Sequence, residues 1–205
     1  MDTESIKING RVIQIEYATG KQAINVILLH GANNDMNHGI INKIFRSLSE
    51  KYNTLRFNFS FVKDPRQIEI EQSKKELIAC MNLLRDVETI LIGKSFGGYI
   101  SALVAAENID KIHKVIALGY PLHEEGNPNA IHDQDSIMLM KTQLIVIKGE
   151  KDPFCDTDIL RKFLPNSKIY TIKDAEHSFK SLSESLSDED NEEKVISIIE
   201  KELEY

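Results

Sequence analysis

Glu88-Thr-Ile-Leu-Ile-Gly-Lys-Ser-Phe-Gly-Gly98 contains an apolar run, Ile90 to Ile92, that reads as a buried strand, and Phe96 to Ala106 after it reads as a helix. Between them Gly93-Lys94-Ser95-Phe96-Gly97 matches G-x-S-x-G, the pattern of a serine held on a sharp strand-to-helix turn. Such a turn strains the serine backbone and crowds the positions two before and two after it. Glycine at both removes the offending Cβ atoms. A helix starting there also aims backbone N–H groups at whatever sits on the serine. The small residues that follow, Gly98, Ser101, Ala102, Ala105 and Ala106, suit a helix packed closely on a sheet.

On either side of this stretch, strand and helix signals alternate. Strands are expected at Arg11 to Tyr17, Val26 to Leu29, Thr54 to Phe59, His113 to Leu118, Leu144 to Ile147 and Lys168 to Ile172. Helices are expected at Gly39 to Tyr52, between Ile68 and Leu84, at Asp158 to Phe163 and at Glu192 to Leu203. Strands joined by helical crossovers imply a parallel sheet covered on both faces. The predicted architecture is a three-layer α/β fold over residues 1–205, one domain with a mostly parallel central sheet and no large cap domain. Leu122 to Lys141, rich in Asn, Asp and His and without a clear period, is expected to form a loop over the carboxyl edge of the sheet. The acidic stretch from Ser187 to Glu193 reads as a solvated loop and helix N-terminus.

Composition narrows the function classes. Of 205 residues, 41% are hydrophobic and 28% charged, as in ordinary globular proteins. A formal net charge of −7 with no basic face argues against a nucleic-acid binder. No apolar run reaches the length of a membrane span, and the polar start MDTESIKING does not resemble a signal peptide. The expectation is therefore a cytoplasmic protein acting on a small molecule, with no membrane partner; nothing in the sequence bears on its oligomeric state. Cys80 and Cys155 are too few for a disulfide framework, and the spacing of the histidines suits no metal site. No metal or other cofactor is expected.

A serine hydroxyl is a weak nucleophile that needs an adjacent base, which in turn needs an orienting acid. Asp152 follows the strand at 144–147 and His177 follows the strand at 168–172, so the three groups lie after three different strands. Asp156, Asp158 and Asp174 are fallbacks for the acid. The tetrahedral oxyanion would be held by the Phe96 N–H and by a second N–H from Leu28-Leu29-His30-Gly31-Ala32-Asn33-Asn34, from Ala32 or alternatively Asn33. His30 reads as a structural support of that loop, while His38 and His123 fall on loops able to approach a pocket. Phe59, Tyr120 and Phe154, with Phe61 and Leu122, are candidates for an apolar substrate pocket, or could equally pack its rim. Lys94 reads first as a surface lysine, with tuning of the electrostatics or an ion pair near the serine as the alternative. Although Gly93-Lys94-Ser95 looks like the end of a phosphate loop, its first glycine would fall at Glu88, and Thr89 to Ile92 is an apolar strand.

These motifs, with Gly119-Tyr-Pro-Leu-His123, Gly149-Glu-Lys-Asp152-Pro-Phe154 and Glu176-His177-Ser178-Phe179, resemble the α/β-hydrolase superfamily from about Val26 to the terminal helix. More narrowly they are similar to its small dienelactone-hydrolase-like members and to the branch of testis-expressed and chromatin-complex hydrolase-like proteins. The resemblance implies a Ser95–Asp152–His177 triad and a serine hydrolase acting on a small carboxylester or thioester. Dienelactone hydrolases use a cysteine nucleophile, so their activity does not carry over to Ser95. The alternative from another class is a non-catalytic module that keeps the fold and acts by binding.

Overall fold

The computed structural model describes residues 2–107, 109–183 and 185–204. The chain opens with a hairpin of β1 (Asp2–Ile8) and β2 (Arg11–Ala18), followed by β3 (Gln22–Leu29), α1 (Gly39–Leu48) and β4 (Tyr52–Phe57). Then come α2 (Ile70–Leu83), β5 (Thr89–Lys94), α3 (Phe96–Ala106) and β6 (Ile112–Leu118). A small hairpin, β7 (His123–Glu124) and β8 (Asn127–Ile131), and the short α4 (Gln134–Met138) precede β9 (Gln143–Gly149), α5 (Thr157–Phe163), β10 (Lys168–Ile172) and α6 (Asp188–Leu203).

Eight strands form one sheet in the order β1-β2-β4-β3-β5-β6-β9-β10. The pairings from β4 through β10 are parallel, and β1 and β2 add an antiparallel edge. Because successive side chains point to opposite faces, each inner strand feeds two cores. Ile27, Leu29, Leu91, Val115, Ala117 and Val146 pack with Leu77 and Met81 of α2 and with Ile100 and Val104 of α3. Val26, Leu28, Ile90, Ile92, Ile116 and Ile147 face the other way, against Ile40, Ile44 and Phe45 of α1 and Val195 and Ile199 of α6. Inner strands buried on both faces read as continuous apolar runs for this reason.

Three expectations are corrected. β1 lies in the polar N-terminal stretch, which carries no expected strand; it is turned onto β2 by Asn9 and Gly10, both with positive φ (49° and 83°). The segment from Leu122 to Lys141 folds as a hairpin and α4 packed on α3, where the Tyr99 hydroxyl bonds Asp133. The terminal helix begins at Asp188 rather than Glu192, because Ser187 and Asp190 form a reciprocal capping box.

The direction of winding determines where a ligand can sit. From β3 the chain crosses to β4 on one side, then returns past β3 to β5 on the other. The carboxyl ends of β3 and β5 therefore flank a topological switch point, where the loops diverge and leave a crevice.

Candidate active site

Ser95 stands at the end of β5, in that crevice. Its backbone takes φ 49° and ψ −115°, a conformation costly for any residue but glycine. A Cβ on Gly93 would lie 2.2 Å from the Gly97 carbonyl carbon, and one on Gly97 would lie 2.6 Å from the Leu29 carbonyl oxygen. Both glycines of the motif are thus required by close backbone approach. The turn is held on the other side by the Ser95 N–H donating to Leu118 O at 2.8 Å.

His177 reaches Ser95 from the loop after β10. Its Nε2 lies 3.0 Å from Ser95 Oγ, and its Nδ1 lies 3.0 Å from each Asp152 carboxylate oxygen. A carboxylate can only accept, so Nδ1 carries the proton and Nε2 is free to accept from the serine hydroxyl. Asp152 is shielded, with a side-chain exposure of 0%, and its Oδ1 also accepts the Phe154 N–H at 3.0 Å. The two loops are tied directly, since Lys151 N donates to Ala175 O at 2.9 Å. Of the fallback acids, Asp156 caps α5 through the Asp158 and Ile159 N–H groups, and Asp174 stands in a left-handed conformation with φ 53°.

Around Ser95 lies a cleft of about 450 Å³ whose lining includes Ala32, Asn33, Asn34, His38 and Lys94. The loop from His30 to Asn34 leaves β3 next to β5, so Ala32 and Asn33 sit beside the N-terminus of α3. Tyr99 N–H makes the first helical bond, to Ser95 O, so the Phe96 N–H is not used within the helix. His30 is fully buried, with Nδ1 2.7 Å from Gly31 O and Nε2 accepting the Phe59 N–H at 3.0 Å. Burial lowers its pKa to about 4, which keeps the ring neutral.

The apolar pocket expected from the sequence does not border this cleft. Phe59 is fully buried, stacked on Phe61 and edge-on to His30 and Phe96, so it supports the loop from beneath. Tyr120 and Leu122 lie in the same core. Phe154 packs edge-on against His177, with ring centroids 4.8 Å apart, and buttresses the imidazole from the side. Aromatic content alone could not separate these roles. The cleft instead carries His38, Lys94, Lys180, Asp188 and Glu192. Lys94, expected at the surface, is buried, because β5 is an inner strand flanked to its last residue. His123 is turned away, accepting the Asp156 N–H at 3.1 Å.

Cys155 is buried and its thiol is pushed up to about 12, so it is inert; Cys80 is a core residue, as expected. Among the described residues no group of three or more His, Cys, Asp or Glu is arranged to hold a metal ion. No helix among them is long and apolar enough to cross a membrane. A second concavity, of about 300 Å³, opens at the amino-terminal ends of β3 and β5 beside Asn25 and Arg85. It lies at the end of the strands away from Ser95, and the catalytic-type side chains are at the other.

Solved structures share the architecture. An α/β serine hydrolase homologue from Coxiella burnetii superposes with a TM-score of 0.78 at 19% identity, covering 98% of this chain and 97% of that one. Est1E from Butyrivibrio proteoclasticus, solved with ferulic acid bound, gives 0.78 at 15% identity over 98% of this chain and 100% of its own. A thioesterase domain from the curacin biosynthetic pathway gives 0.77 at 12% identity, covering 97% and 98%. Matched over residues 22–204 by the family model described as an alpha/beta hydrolase domain, the chain belongs to the α/β-hydrolase family.

Proposed function

We propose that the protein is a serine hydrolase that cleaves a small carboxylester or thioester through an acyl-enzyme. The observation carrying this reading is the continuous hydrogen-bond chain Ser95 Oγ–His177–Asp152, with every link at 3.0 Å. In the first half-reaction His177 Nε2 takes the Ser95 proton as Oγ bonds the substrate carbonyl carbon. The oxygen becomes an oxyanion, which the Phe96 and Ala32 N–H groups hold, with Asn33 as the alternative donor. Collapse breaks the bond to the leaving alkoxide or thiolate, which takes the proton back from His177. A water then gives one proton to His177 as its oxygen attacks the acyl carbon; collapse breaks the bond to Ser95 Oγ, which takes that proton from His177, and the acid leaves. Asp152 keeps the imidazole in the tautomer both steps need.

The narrower kinship with dienelactone-hydrolase-like proteins, a small-molecule substrate and action as one domain belong to the same reading. The bound ferulic acid of one structural neighbour and the thioesterase assignment of another fit an acyl substrate.

A fluorophosphonate probe tests the mechanism directly. It is expected to label Ser95, and Ser95→Ala or His177→Ala should abolish labelling and lower ester turnover by at least about 10³-fold. A folded wild-type protein that neither reacts with the probe nor turns over any ester in a graded chain-length series would sink the hydrolase in favour of a binding module.

A further inference from the structure

Lys94, the residue directly before Ser95, is 7% exposed and lines the cleft. Its ammonium lies beside the triad: a Cβ built on Gly119 would be 3.0 Å from Lys94 Nζ and 3.1 Å from His177 Cε1. The centre of the Phe179 ring lies 5.9 Å from Nζ. Lys43, by contrast, pairs with Glu192 and Lys74 with Glu107. Among the described residues no hydrogen bond or ion pair ends on Lys94 Nζ. Asp152, the nearest acid in field terms, already gives both oxygens to His177. The rim acids are also engaged, Asp188 by the Ser181 N–H at 2.7 Å and Glu192 by Lys43 at 2.7 Å.

Burial pushes the Lys94 pKa down to about 8, against the pull of Asp152 and Glu176. At neutral pH the side chain is still charged, so a largely buried cation borders the cleft with no protein acceptor among the described residues. Exposed Lys180 on the same cleft adds charge of the same sign.

We propose that Lys94 is the specificity-determining residue of the cleft, and that the ester or thioester opened at Ser95 carries a carboxylate bound by Lys94 Nζ. The inference rests on the serine-hydrolase reading for its chemistry. A single buried ammonium matches a monoanion, whereas the second charge of a phosphate dianion would have only the exposed Lys180. The effect is largest in the transition state. When His177 takes the serine proton, an imidazolium forms beside Lys94, and the two like charges repel. A substrate carboxylate on Lys94 offsets that repulsion, while a neutral ester leaves it uncompensated.

Two matched ester pairs test this, because the site of the carboxylate on the substrate is open. One pair is mono-4-nitrophenyl glutarate and 4-nitrophenyl valerate; the other is 3-acetoxybenzoate and 3-acetoxybenzamide. In at least one pair the wild type is expected to favour the carboxylate by about tenfold or more in kcat/KM. That ratio should collapse toward unity in Lys94→Met and recover in part in Lys94→Arg. Using the ratio cancels damage common to both substrates. In the wild type alone, the preference should fall as pH rises through about 8, because Lys94 loses its proton while His177, Asp152 and Glu176 act on both esters alike.

Turnover of the neutral esters with no preference in either pair, a preference unchanged by Lys94→Met, or one that ignores pH overturns the assignment and leaves the hydrolase standing. Calorimetry of monomethyl glutarate on the Ser95→Ala protein separates the other failure. Binding that is lost in the Ser95→Ala, Lys94→Met double variant, with no ester turned over by the wild type, would keep the carboxylate site and remove the hydrolase.

Discussion

Gly149 ends β9 directly under the histidine loop, where a Cβ would lie 2.3 Å from Glu176 O and 2.4 Å from Ala175 O. Gly149→Ala is therefore expected to push the 175–177 segment off Asp152 and slow fluorophosphonate labelling, as timed gel fluorescence would show. His30 makes a prediction about pH. Its folded pKa of about 4 lies below the ordinary value of 6.5, so the unfolded chain binds the extra proton between these limits. Stability is then complete above pH 6.5 and is lost as pH falls toward 4, by on the order of 3 kcal/mol. Urea titrations across that window should show this slope, and His30→Gln should flatten it. At this scale the serine, acid and histidine were legible because chain order and strand ends locate them. The burial of Lys94 was not, because it depends on which strands flank β5, and the side taken by Phe59 was left open because an aromatic beside a loop can face either way.

The start of α6 illustrates how an element supports the site at a distance. Ser187 accepts the Asp190 N–H at 3.1 Å, and Asp190 accepts the Ser187 N–H at 2.7 Å. One turn along, Asn191 Nδ2 donates to Phe179 O at 3.2 Å, which fixes the segment just after His177. Ser187→Ala should cost about 1 kcal/mol and lower the melting temperature by a few degrees, measured by circular dichroism. The helix was read as starting late because its acidic first turn shows no apolar period. Only the serine followed three residues on by Asp190 marked the cap. β1 was missed for a related reason: the signal was in the Asn9-Gly10 turn rather than in the polar strand before it.

Across the whole molecule, the parallel core was readable from its apolar runs, whereas the fastening of the antiparallel edge to the site loop was not. Arg56 of β4 makes that connection. Its Nε donates to Glu16 of β2 at 2.8 Å, and its Nη1 donates to Met36 O at 2.8 Å and to Asn42 Oδ1 at 2.9 Å. The Glu16 and Arg56 side chains are only 13% and 6% exposed. Glu16→Gln should cost about 3 kcal/mol by leaving a buried guanidinium without its counter-charge, visible in chemical denaturation. These contacts join residues 14 to 40 positions apart, which no local pattern can express. The scaffold so fastened also holds Ser95 at its unfavourable φ of 49°. Replacement by glycine would relieve about 1 kcal/mol or more of that conformation. Ser95→Gly is thus expected to melt higher than the wild type while losing all turnover. Selection for heat resistance alone would discard the Ser95 hydroxyl, so only a screen that also demands chemistry could keep it.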